Sequence, residues 1–150
     1  MLSETEERRR RIAPGYEAGI TETMIQELVH AFYAKVRRDP ALGPIFNRVV
    51  ADWDHHLAKL CDFWSSVTLM TGRCKGAPMA VHVQLPEIRA THFARWLHLF
   101  RQTAEELCPP RAAALFNLKA EMIAESLQLG IIANRGEPPP RSAPRKPRET

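Results

Sequence analysis

Apolar residues recur along this chain at intervals of three and four, and that spacing constrains the fold more than any other feature. Met24, Leu28, Val29, Phe32 and Val36 lie on one helical face. Thr23 and Gln26 ahead of them have the spacing of a capping box, and Asp39-Pro40 predicts the stop. Leu42-Gly43-Pro44 predicts a turn, with Pro44 opening a short helix. Trp53, His56, Leu57, Leu60, Trp64 and Val67 make a third face, with Gly72 as the expected terminator. Pro86 predicts the start of a fourth helix with Ile88, His92, Trp96, Phe100 and Leu107 inward, broken by Pro109-Pro110. The last helix is expected from about Arg111, with Leu115, Phe116, Met122, Ile123 and Leu127 inward, and its pattern fades after Gly130. No window alternates with a period of two. The expectation is an all-α domain with about four major helices and short connectors.

The charge of the chain lies mostly at its ends. The formal net charge is +4 over 150 residues, with an isoelectric point near 9.3, a balance that invites a nucleic-acid reading. Residues 137–150 hold Arg141, Arg145, Lys146 and Arg148 against two glutamates, for +2. Residues 1–13 hold Arg8 to Arg11 against three glutamates, for +1, which leaves +1 on residues 14–136. The final segment has five of the twelve prolines and no large apolar residue, so it cannot bury surface to offset its ordering entropy. The expected organisation is a flexible N-terminal extension (1–13), one domain (14–136) and a disordered Pro/Arg-rich tail (137–150).

No run of 18 apolar residues occurs, so no transmembrane helix and no membrane partner are expected. The charged N-terminus does not read as a secretory signal. Cys61, Cys74 and Cys108 are an odd set without paired spacing, which predicts reduced thiols and a cytoplasmic location.

Most catalytic and binding motifs are absent. There is no phosphate-binding glycine loop, no HExxH, no CxxC and no CxxCH, so covalent haem attachment is not expected. Of six histidines, His82 stands out as the only ionisable side chain between Lys75 and Glu87. Apolar surroundings drive an imidazole towards its neutral form, the form a metal ligand requires. A histidine packed at the edge of the core is the commoner outcome, and both readings stand at this point. Tyr33 and Trp96 each combine a large apolar body with one donor that needs a partner when buried.

Several segments together resemble a known family. They are Phe32-Tyr33-Ala34-Lys35-Val36-Arg37-Arg38-Asp39-Pro40-Ala41-Leu42-Gly43-Pro44-Ile45-Phe46, then Trp53-Asp54-His55-His56 with Phe63-Trp64, then Gly76-Ala77-Pro78-Met79 leading to His82, and His92-Phe93-Ala94-Arg95-Trp96-Leu97. In order and spacing they resemble group III truncated haemoglobins over residues 20–130. The resemblance implies a truncated globin, a 2-on-2 helical sandwich around a non-covalent haem b. It implies His82 as the proximal iron ligand, Tyr33 and Trp96 as distal donors, and Phe32 and Leu60 as distal pocket lining. His56 matches the family's distal-helix histidine, and Trp64 belongs to the same pocket set. Arg95, Lys75, Arg73 and His92 are candidates to meet the haem propionates. Cys74 stands where members of the family often carry an aromatic residue.

The function implied is binding of dioxygen or another diatomic ligand, with redox or detoxification chemistry on nitric oxide or peroxide rather than transport. That activity needs an electron-donor reductase. The alternative is a basic helical module using its tails on nucleic acid or another acidic partner. The near-neutral centre and the lack of aromatic residues among the tail arginines weigh against nucleic acid. A bundle holding a non-haem metal ranks last, since inward carboxylates at Glu-x-x-His spacing are missing.

Overall fold

The computed structural model describes residues 3–74 and 88–135. Among them lie seven helices and no strand: α1 (Glu4–Ile12), α2 (Pro14–Glu17), α3 (Glu22–Arg38), α4 (Gly43–Val49), α5 (Trp53–Leu69), α6 (Ala90–Leu107) and α7 (Pro110–Arg135). The all-α expectation holds. No helix among the described residues is long and apolar enough to cross a membrane.

Each helix end has a local cause. The cap of α3 is Thr21, not Thr23: its hydroxyl accepts the Met24 amide at 3.1 Å, while Thr23 lies inside the first turn. The helix stops at Arg38 because Pro40 pushes Asp39 into an extended conformation. Asp52 caps α5 through the His55 amide at 3.2 Å. The terminator of α5 is Met70, left-handed at φ 55°, two residues ahead of Gly72. Helix α6 begins at Ala90 rather than at Pro86, because the His92 side chain turns back and its Nδ1 accepts the Arg89 amide at 2.9 Å. Pro86 itself lies outside the described residues. Helix α7 continues past Gly130, since Ile131 is buried one turn beyond Leu127 and packs with it. Two residues expected inward, Leu107 and Met122, are exposed. Leu107 ends its helix, and Met122 shares the outer face of α7 with Leu118 and Leu129.

Residues 4–12 form a helix whose capping box joins Ser3 and Glu6, with acidic residues in the first turn and arginines in the last, as the helix dipole favours. It buries none of its residues and rests on α2. Residues 137–150 lie outside the described residues.

Helix α3 packs against both α5 and α6, and α6 packs against α7. Helix α4 folds back on the end of α3. Gly43 permits that approach, because a β-carbon there would sit 2.6 Å from the Arg37 carbonyl oxygen. Among the described residues the buried apolar side chains fall into two clusters. The larger centres on Phe32, Trp64, Phe100 and Phe116; the smaller holds Ile45, Ile88, Phe93, Ala124, Leu127 and Ile131. Trp96, Leu97 and Ile123 touch both. A domain of this size ordinarily builds one contiguous core.

Candidate functional site

A pocket lies where the two clusters face each other. Helix α3 contributes Tyr33, and the turn into α4 and that helix contribute Leu42 and Phe46. Leu60, Phe63 and Trp64 come from α5. Ile88 and, from α6, His92, Phe93 and Trp96 form the facing wall, which Ile123 and Leu127 of α7 complete. The pocket encloses about 560 Å³ of space between atoms, part of it continuous with solvent. The wall is apolar except for Tyr33, Trp96 and His92.

Tyr33 and Trp96 meet directly. The Trp96 indole N–H, a donor only, faces the Tyr33 hydroxyl and acts to lower its pKa. Burial is the larger influence on that hydroxyl and pushes its pKa up to about 12, against a smaller lowering by Trp96. Tyr33 is therefore a neutral O–H donor at physiological pH, with a proton to offer an acceptor in the pocket. Phe32 does not line the pocket. It is fully buried behind it, edge-on to Tyr33 (4.7 Å between centroids), Trp96 (5.3 Å) and Phe100 (5.1 Å), and so fixes both donors. His56 does not line it either. The half-buried His56 ring meets Tyr33 and Trp53 edge-on at 6.1 Å and 5.6 Å. Arg37 lies over the Trp53 ring at 4.7 Å.

The cations expected around the rim are differently engaged. Arg95 donates from Nε and Nη2 to one oxygen of Asp39, both at 2.8 Å. Arg73 pairs with Glu22 at 3.6 Å. His92 lines the pocket, and with Nδ1 accepting from Arg89 its neutral form carries the proton on Nε2. His82 and Lys75 lie outside the described residues. Among the described residues no group of three or more His, Cys, Asp or Glu could hold a metal ion. All three cysteines are free thiols, and Cys61 packs against the larger cluster.

Of the nine site residues expected from the sequence, the structure brings Tyr33, Leu60, Trp64, His92 and Trp96 to the pocket. Phe46, Phe63, Phe93 and Leu42 line it without having been singled out. Phe46 and Leu42 are four apart across the Pro44 turn, a spacing that was there to be read. Phe63 and Phe93 adjoin Trp64 and His92 in the segments that carried the resemblance.

These residues fit a flat apolar group bearing one ligand site. The apolar lining offers its faces a surface, and Tyr33 and Trp96 offer polar atoms to the ligand. The comparisons agree. No protein-family model matches the chain. The Group 3 truncated hemoglobin ctb of Campylobacter jejuni is 34% identical over 113 residues, covering 73% of this chain and 89% of that protein. The crystal structure of a group III truncated hemoglobin from Campylobacter jejuni aligns with a TM-score of 0.70 at 33% identity, over 75% of this chain and 91% of that one. With Tyr33 and Trp96 on an apolar pocket lined from α3, α5, α6 and α7, and this degree of likeness in sequence and fold, the chain belongs to the group III truncated haemoglobins.

Proposed function

We propose that this protein carries out redox or detoxification chemistry on nitric oxide or peroxide, rather than transporting oxygen. Its membership of the family makes it a haem protein, with non-covalent haem b and diatomic ligands as its small-molecule partners. When bound, the haem would supply an iron that takes up such a ligand and passes on electrons delivered by a reductant. His82, outside the described residues, would hold the iron through its imidazole. Leu60 and Trp64 pack against the apolar group, Phe32 and His56 buttress Tyr33, and His92 offers its Nε2 proton to a propionate. Arg95 and Arg73 already have carboxylate partners within the protein.

The observation that carries the proposal is that Tyr33 and Trp96 line a pocket that is apolar apart from them and His92. A ligand with partial negative charge is held there by the Tyr33 O–H, whose donation Trp96 orients. A hydrogen bond to a charged group is worth about 1.5–3 kcal/mol, which slows ligand release by one to two orders of magnitude. Slow release is unsuited to delivery and suits reaction in place. Turnover then draws electrons from a reductase partner. In air-saturated buffer, nitric oxide added to the reduced protein is expected to yield one nitrate per nitric oxide. Failure to form nitrate rules out the dioxygenase version, and failure also to consume peroxide in a reductant-coupled assay overturns the proposal.

A further inference from the structure

We propose that the Asp39–Arg95 ion pair holds Trp96 in its place in the pocket wall, which makes Arg95 a positioning residue of the ligand pocket. The inference rests on the reading of the pocket as the ligand site. Asp39 follows the last residue of α3, and its side chain is almost fully buried (3% exposed). Both oxygens are used. One accepts Arg95 Nε and Nη2 at 2.8 Å each; the other accepts the amides of Ala41 and Leu42 at 3.1 and 3.0 Å. The guanidinium thus reaches from α6 to a turn 56 residues earlier in the chain.

Both ends of this link adjoin the pocket. Leu42, whose amide the carboxylate holds, lines it and leads into α4 and Phe46. Trp96 is the residue after Arg95. The other ion pairs between helices differ: Lys35–Glu106, Arg101–Glu121 and Arg111–Glu17 all have solvent on both partners, and none of these residues lines the pocket. Such exposed pairs are worth little. In Asp39–Arg95 the guanidinium is 45% exposed but the carboxylate is buried, so removing Arg95 leaves a buried charge without its counter-charge.

The remaining contacts of Trp96 are not directional in the same way. Phe32 meets it edge-on at 5.3 Å and Phe100 stacks on it at 5.6 Å. Apolar contacts fix the plane of the ring but resist sliding weakly. The planar guanidinium, gripping one carboxylate oxygen through two donors, supplies the directional constraint one residue away.

The test compares Arg95→Ala, Arg95→Lys and Asp39→Asn with the wild-type full chain, and uses Glu106→Gln as a control pair. In cofactor-free protein, hydrogen exchange of the Trp96 indole N–H is expected to quicken about fivefold to tenfold in Arg95→Ala, the loss of roughly one neutral hydrogen bond. Trp53, Trp64 and the Glu106→Gln protein stay unchanged. In the reduced, haem-loaded protein the carbon monoxide stretching band is expected to shift towards a weaker hydrogen bond in the same order of variants. Arg95→Lys keeps the charge but loses the fork, so it falls between wild type and alanine. Should Arg95→Ala not fold, Arg95→Lys and Asp39→Asn carry the same two readouts. Unchanged indole exchange together with an unchanged band in a folded variant overturns the inference. Should wild type take up no haem, the functional reading falls while indole exchange still decides whether the clamp exists.

Discussion

Replacing Tyr33 by Phe removes one oxygen from the pocket and leaves the ring packed on Phe32 (4.7 Å) and Phe46 (6.2 Å). Two things are lost. The ligand loses its O–H donor, about 1.5–3 kcal/mol for a bond to a charged group, so its dissociation is expected to quicken about 10–100-fold. The Trp96 N–H loses its acceptor. Replacing Trp96 by Phe should do less, because its N–H is spent on Tyr33 and only orients the hydroxyl. A neutral hydrogen bond nets about 1 kcal/mol, or roughly fivefold in rate. The two effects are therefore in series. In the Tyr33→Phe background, Trp96→Phe should change the dissociation rate by less than about twofold, a coupling that a double-mutant cycle isolates. Stopped-flow displacement of dioxygen from the reduced protein by carbon monoxide measures all four rates. A double variant whose rate is the product of the single effects would refute the serial arrangement. An unchanged rate in Tyr33→Phe would refute the donor role altogether.

Other consequences concern stability and the thiols. Phe32→Ala deletes a fully buried ring that braces both donors, and should cost about 3–5 kcal/mol in denaturant unfolding. Because burial raises Tyr33 from 10.0 to about 12, the native state keeps its proton where the unfolded chain has lost it. Its contribution is fully present below pH 10 and is lost as the pH rises towards 12, so Tyr33→Phe should flatten that part of the alkaline unfolding curve and remove the latest tyrosinate absorbance step. Cys61 is pushed up to about 11, chiefly by burial and then by Asp62 and Glu22. Its alkylation near pH 8 should run about 100-fold slower than that of an ordinary thiol, which mass spectrometry after a timed iodoacetamide pulse will show.

Periodicity carried most of the fold because packing dominates these helices. The inner face of α3 and the face holding Leu57, Leu60 and Trp64 were legible from spacing alone. Ends were less so, since they depend on single side chains. Thr21 and Thr23 both have capping chemistry, and only the first reaches a free amide. The start of α6 turns on His92 folding back over Arg89, a contact no pattern reveals. The capping box of Ser3 and Glu6 was present in the sequence but masked by the run of arginines beside it. In the site, the residues at the pocket surface were easier to find than those behind it. Phe32 and His56 share faces with true lining residues, and half a turn of helix separates supporting a donor from being exposed to the ligand. The Asp39–Arg95 pair was not legible, because it joins positions 56 apart through a turn whose shape appears only on folding.

The absorption spectrum of the purified protein, before and after addition of hemin, tests the central claim most directly. A haem Soret band is predicted for the wild-type chain, and it should disappear in His82→Ala or be restored there by added imidazole. A colourless protein that also takes up no hemin would contradict the account.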